Sequence, residues 1–281
     1  MYRRYRLTSA IVVILVLLPA LAAAQTPVVI EKDVIYSRTQ GSAVLADIAY
    51  PVDKVEEGGL PAIIYVHGGR WRAGSRVNDE GLQVAEWAGI GFFAMTIDYR
   101  LVGATPAPAP YQDVLTAVRW MHAHAEEYDV DPDRIYLIGN SSGAHLVALV
   151  ATLGEGPYER IGGWEDARSD VRAVISAAGP YELNTLSWGN LWTPIAGDSQ
   201  EARRIASPIH AAGPGTKPIL IVHSDDDRSV PVDQAIDMAE VLDSENIHHR
   251  FVHYTDRGHM SVTDEVMEET LDFIAEVERN R

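Results

Sequence analysis

Gly139-Asn140-Ser141-Ser142-Gly143 places a serine between two glycines where a short apolar strand gives way to a helix. Ile135-Tyr136-Leu137-Ile138, introduced by the turn-like Asp131-Pro132-Asp133, reads as a buried strand. His145 to Leu153, rich in Ala and Leu, reads as the first turns of the helix. Glycines on both sides let the backbone turn tightly and let helix and strand approach closely, leaving the Ser141 hydroxyl at the tip. This is the layout of a nucleophile elbow. Gly and Ser are common, so the pentapeptide draws its weight from its neighbours.

Outward from the elbow, apolar runs alternate with helical stripes. Ala62-Ile63-Ile64-Tyr65-Val66 and Phe92 to Ile97 are continuous apolar segments of the kind buried on both faces of a parallel sheet. Helices are expected over Glu80 to Ala88 and over Tyr111 to Ala125, where Val114, Leu115, Val118 and Met121 share one stripe. Further strands are expected at 135–138, 171–177, 218–223 and 249–254, with helices near 232–244 and 262–278. Ahead of them, two strand-like segments between Pro27 and Tyr50 read as an antiparallel edge. The fold class is α/β: a doubly wound, mostly parallel eight-stranded sheet flanked by helices. Pro180 to Ala206 breaks the rhythm, carries Tyr181, Trp188 and Trp192, and is expected to be an insertion forming a lid or pocket wall.

The chain has 281 residues, 47% of them hydrophobic, which fits one large domain over residues 25–281. Arg3, Arg4 and Arg6 precede an apolar run from Ala10 to Leu21 and then Ala22-Ala23-Ala24. Residues 1–24 are therefore expected to be a signal peptide, and the apolar run is short for a membrane span. Its removal takes away three arginines and no acid, moving the net charge from −17 to −20. Such a surface repels nucleic acid and anionic membranes. With no cysteine, disulfides, a thiol nucleophile and a lipoprotein anchor are excluded, and a secreted or periplasmic location is expected.

A serine hydroxyl needs an imidazole to accept its proton, and the imidazole needs a carboxylate to fix its tautomer. With an elbow of this kind the order along the chain is Ser, then the acid, then His. Ser141, Asp227 and His259 meet it. Asp227 follows the strand ending near Val222 and stands shortly before Val230-Pro231, with Asp225 its main rival and Asp226 a third carboxylate. His259 sits in Gly258-His259-Met260, after the last strand. The oxyanion of an acyl-transfer intermediate needs backbone donors. His67-Gly68-Gly69-Arg70-Trp71, after the strand at 62–66, would supply Gly69 and Arg70, and the residue after the nucleophile would supply Ser142. No His pair shows helical metal-ligand spacing with an acidic third ligand, so neither a metal nor a cofactor is expected.

On these motifs the chain resembles the α/β-hydrolase esterases, above all the bacterial group that includes acetyl-xylan and feruloyl esterases, a neighbour of the hormone-sensitive-lipase-like carboxylesterases. Asp98-Tyr99-Arg100-Leu101, the helix with Asp113, Ala117, Val118, Arg119 and Trp120, and Ala206-Ser207-Pro208-Ile209 extend the likeness over about residues 35–278. The resemblance implies a serine carboxylesterase working through an acyl-enzyme on small-molecule or carbohydrate esters. Trp71, Tyr181, Trp188 and Trp192 are then candidate substrate-binding residues. Two positions depart from the group's pattern: Arg70 stands where many relatives carry a third glycine, and Ser224 where relatives carry glycine before the acidic loop. The His-Gly-Gly-x-Trp form is also similar to that of kynurenine formamidases, so an aryl formamide is the alternative substrate. A non-catalytic binding protein on the same scaffold is the alternative from another class.

Overall fold

The computed structural model describes residues 27–39, 41–53, 58–77 and 83–280. The expected signal peptide at 1–24 lies outside the described residues. Eight strands form one sheet: β1 (Val28–Thr39), β2 (Ser42–Pro51), β3 (Leu60–Val66), β4 (Phe93–Ile97), β5 (Val130–Asn140), β6 (Ala173–Ala177), β7 (Ile219–Ser224) and β8 (His249–Tyr254). Their spatial order is β1-β2-β4-β3-β5-β6-β7-β8. β1 pairs antiparallel with β2, and β2 with β4; every pairing from β4 to β8 is parallel. The antiparallel edge and parallel centre are those the apolar runs predict.

The helices are α1 (Val84–Gly89), α2 (Ala109–Ala123), α3 (Ser142–Leu153), α4 (Ser199–Ile205), α5 (Pro208–Ala211), α6 (Asp233–Ser244) and α7 (Asp264–Arg279). Strand residues alternate between two apolar layers. Ala62, Ile64 and Val66 of β3 join the larger layer with the buried stripes of α2, α3 and α6. Ile63 and Tyr65 face the smaller one, with Trp87 of α1 and Val266, Phe273 and Val277 of α7. Both faces are apolar because both are covered, which is why these strands read as continuous runs rather than alternating ones.

Three boundaries differ from the sequence reading. β5 begins at Val130, since Leu60 pairs with Val130 and Ala62 with Ile135, leaving 131–134 as a bulge. Pro132 has no N–H to give to a ladder, so the turn-like triplet interrupts the strand without ending the pairing. α2 starts at Ala109 with Pro110 in its first turn, where the missing N–H costs nothing. α1 starts at Val84; the expected start near Glu80 falls outside the described residues.

The segment 180–206 packs down. Tyr181, Leu183, Leu186, Trp188 and Trp192 are buried in the larger layer, while α4 presents no buried residue. Its aromatics explain the lost periodicity: they anchor an irregular path side chain by side chain.

In spatial order, β4 lies on one side of β3 and β5 on the other, so the winding direction reverses at β3. The carboxyl ends of β3 and β5 flank that switch point, where open α/β sheets place their ligands. The loop from His67 follows β3, and Ser141 follows β5.

Candidate active site

Ser141 closes the elbow with φ 54° and ψ −123°, a positive φ that a non-glycine residue adopts only under constraint. Its N–H donates to Ala177 O at 2.9 Å, and its carbonyl accepts from His145 N at 3.1 Å, so backbone bonds hold it from both sides. Gly143 explains the second glycine of the motif: a Cβ there would lie 2.0 Å from Val66 O. Helix α3 can start directly behind the serine only because that position has no side chain.

The loop after β3 is built by a run of positive φ values: Gly69 at 117°, Arg70 at 55° and Trp71 at 58°. Two L-residues in that region are tolerated because their surroundings over-determine them. The Trp71 indole N–H donates to His145 Nδ1 at 3.2 Å, and its ring is fully buried. Asn140, immediately before the serine, accepts at Oδ1 from Gly68 N at 3.0 Å and from the Tyr65 hydroxyl at 2.9 Å. The Tyr99 hydroxyl donates to His67 O at 3.0 Å, and its ring stacks on that of His67. Among the described residues, the N–H groups of Gly69, Arg70 and Ser142 donate to no protein acceptor. They are free to meet an oxyanion.

His259 Nδ1 lies 2.7 Å from Asp227 Oδ2, and Oδ1 of the same carboxylate accepts from the backbone N–H of Ser229 at 2.7 Å and of Val230 at 3.0 Å. A second imidazole reaches Asp227: buried His223, on β7, places Nε2 3.3 Å from Oδ2 and 2.9 Å from Val230 O. Burial on its own would raise the Asp227 carboxyl. The bonds from His223 and His259 and from the Val230 and Ser229 amides outweigh it and hold the carboxyl well below the usual carboxylate range. Of the rival acids, Asp225 pairs with His253 at 2.5 Å, while Asp226 accepts from the Ser224 hydroxyl and from Gly258 N, both at 2.7 Å. Ser224, one of the two departures, thus fixes the neighbouring carboxylate away from His259.

Ser141 and His259 line one cavity of about 290 Å³ with Gly68, Gly69, Arg70, Gly74, Asn140 and Ser229. Larger hollows lie elsewhere; one of about 480 Å³, between Ile35–Arg38 and Gly162–Glu165, contains none of these groups. The four aromatic candidates are not in the wall of the serine's cavity. Trp71 instead packs against Trp188 at a tilt and edge-on against Trp192, Trp71 and Trp192 both meet the His145 ring edge-on, and the Tyr181 hydroxyl lies 2.7 Å from Ser176 Oγ. Large apolar rings gain more from the core than from an open, polar cavity. Asn140 and Tyr99 lie in stretches the sequence singles out, but their bonds to the loop after β3 are legible only in the structure; His223 carries the signal of a histidine at the end of an otherwise apolar strand. Among the described residues, no group of three or more His, Asp and Glu is placed to hold a metal ion.

The BD-FAE family model matches residues 46–242. Esterase LipC of Mycobacterium tuberculosis is 29% identical over 198 residues, covering 65% of this chain and 48% of that protein. Carboxylesterase NlhH of the same species is 35% identical over 121 residues, covering 42% of this chain and 38% of that one. The chain spans about half the length of the curated relatives it matches. Among solved structures, a truncated carbohydrate esterase from gut microbiota superposes with a TM-score of 0.77 at 26% identity, covering 91% of this chain and 98% of that one. The family match runs from β2 almost to the end of α6, and so takes in the switch point, the elbow and the Asp227 loop. The chain belongs to the BD-FAE family and has the α/β-hydrolase fold.

Proposed function

We propose that this chain is a serine hydrolase of carboxylic esters, with Ser141 as nucleophile, His259 as base and acid, and Asp227 as the group that orients His259. The observation that carries the reading is the 2.7 Å bond between Asp227 and His259, at a cavity whose wall His259 shares with Ser141. An Nδ1–H committed to the carboxylate leaves Nε2 as the free base. Ser141 Oγ attacks the ester carbonyl as its proton passes to His259 Nε2, and the N–H groups of Gly69, Arg70 and Ser142 hold the oxyanion. The imidazolium returns the proton to the departing alcohol. Water, deprotonated by the same imidazole, then attacks the acyl carbonyl, and as the Oγ–acyl bond breaks the imidazolium returns the proton to Ser141 Oγ and the acid is released. Neither half-reaction requires a cofactor.

A cavity of about 290 Å³ suits a short acyl group. The likeness to a carbohydrate esterase and to mycobacterial esterases supports esters of small alcohols and sugars as the substrate class. Residues 1–24 are proposed as a signal peptide and the mature chain as secreted or periplasmic; N-terminal sequencing of exported protein checks this, and an intact Met1 would contradict it.

The deciding experiment is turnover of p-nitrophenyl acetate by the wild type and by Ser141→Ala, alongside labelling with a fluorophosphonate. Wild-type turnover that falls by on the order of 10⁶-fold in the variant, with the label confined to Ser141, is the expected result. A wild type that neither turns over nor takes the label overturns the reading in favour of a binding protein, and faster cleavage of N-formylkynurenine than of any ester moves it to the formamidase.

A further inference from the structure

Among the described residues, Arg70 is the one permanently charged side chain in the wall of the Ser141 cavity; the remaining wall is Gly, Asn and Ser residues and His259, whose Nδ1 is committed to Asp227. The charge stands out in its setting. The chain carries 40 acidic against 23 basic residues, and Arg76, Arg100, Arg119, Arg250 and Arg257 each pair with a carboxylate. Arg70, though exposed, has no carboxylate partner among the described residues. Lacking an ion pair does not by itself set Arg70 apart, since Arg203 bonds to an amide oxygen instead of a carboxylate; what sets it apart is its place in the cavity wall.

That position is fixed from two directions. The backbone of Arg70 is held in the left-handed region by the buried Trp71 that follows it. Its guanidinium carbon lies 5.5 Å from the ring centroid of Trp188, within cation–π range. Trp188 is itself anchored: buried, 5.1 Å from the Trp71 ring, and donating through its indole N–H to Ser229 O at 2.9 Å. Ser229 lines the cavity and donates its own N–H to Asp227. The guanidinium therefore rests on a platform that links the donor loop to the acid loop, on a residue that is exposed and lines the Ser141 cavity. The planar fork of a guanidinium matches a carboxylate in two-point contact.

We propose that Arg70 makes this a site for esters whose alcohol half carries a carboxylate, an O-acetylated uronic acid being the fitting class. The inference rests on the ester-hydrolase reading and specifies its substrate. The alcohol half is indicated because Arg70 is exposed at the mouth: a short acyl group occupies the space at Ser141, while the leaving alcohol extends toward solvent and the guanidinium. Placing the unpaired cation there also offsets the repulsion that a chain of net charge −17 otherwise exerts on an anionic substrate.

The test compares kcat/KM for the O-acetylated methyl glycoside of glucuronic acid with that for its carboxamide counterpart, following acetate release by the wild type, Arg70→Gln and Arg70→Lys. The wild type is expected to prefer the carboxylate on the order of 10- to 100-fold. Arg70→Gln should bring the ratio close to one, Arg70→Lys should retain part of it, and rising salt should shrink it in the wild type. Because the readout is a ratio within each protein, a general loss of activity in a variant does not affect it. A wild-type ratio near one, a ratio unchanged in Arg70→Gln, or cleavage of p-nitrophenyl acetate without cleavage of either sugar overturns the assignment of Arg70. Failure of the wild type on p-nitrophenyl acetate as well overturns the ester reading itself, so the two failures are told apart.

Discussion

The indole N–H of Trp71 donates to Nδ1 of His145 at 3.2 Å, tying the donor loop after β3 to the helix behind Ser141. The other ring nitrogen, Nε2, lies 2.7 Å from Ala206 O, at the far end of the 180–206 segment. One neutral tautomer serves both contacts: Nε2–H donates to the carbonyl, and bare Nδ1 accepts from the indole. Three pieces of chain distant in sequence thus meet on one imidazole.

Acid should loosen that junction. Burial pushes the His145 ring down to about 4, against the raising effect of the Ala206 carbonyl. An unfolded histidine has a pKa of about 6.5, so between these values the unfolded chain binds a proton that the folded chain refuses. Stability should fall as the pH drops from about 6.5 to about 4, by about 3 kcal/mol in all, and this contribution should level off below. Urea unfolding across that range checks it. His145→Gln, which keeps an acceptor and a donor, should lose this part of the pH slope, and an unchanged slope would place its origin elsewhere.

Asp227→Asn should lower kcat by about 10⁴-fold, because an amide can no longer hold the productive tautomer of His259. Asp225→Asn, at an exposed carboxylate engaged with His253, should leave activity within about twofold. Steady-state kinetics on one short ester decides between them, and the reverse ranking would transfer the role to Asp225. The depressed carboxyl of Asp227 also sets a sign for stability: its contribution is complete above about pH 4, the unfolded value, and fades only as the pH falls further.

Asn140→Ala removes the acceptor shared by Gly68 N–H and the Tyr65 hydroxyl and leaves the buried Gly68 N–H unmatched. A stability loss of about 3 kcal/mol is expected. Since the freed amide belongs to the donor loop, kcat should also drop by on the order of 10²-fold through misplacement of that loop. Denaturant unfolding and kinetics on the same preparation test both effects; loss of stability with normal kcat would make Asn140 purely structural.

Gly143→Ala sets a methyl group 2.0 Å from Val66 O and 2.6 Å from His67 O, backbone atoms of β3 and its loop that cannot retreat. The substitution should cost about 3 kcal/mol or more and lower Tm by about 6–12 °C. Gly103→Ala, where the added carbon meets nothing within 4 Å and φ is ordinary, is the control expected to leave Tm nearly unchanged.

The parallel sheet, its antiparallel edge and the place of the elbow were legible in the sequence, because apolar runs, turn residues and helical stripes are local patterns imposed by burial on two faces. So was the order of Ser141, Asp227 and His259, each just beyond a strand. What no local pattern carried was which of three neighbouring carboxylates faces His259. That depends on bonds from Ser224, His223, His253 and Gly258, which converge only when β7 and β8 lie side by side. The aromatics of 180–206 were likewise undecided in one dimension. A tryptophan in an irregular stretch reads equally as pocket or core, and only the packing of Trp188 and Trp192 against Trp71 and His145 puts them in the core and leaves Arg70 at the mouth. Sequence determined the order of Ser141, Asp227 and His259, since order is a property of the chain; tertiary structure decided their partners, since a hydrogen bond is a matter of distance between residues far apart along it.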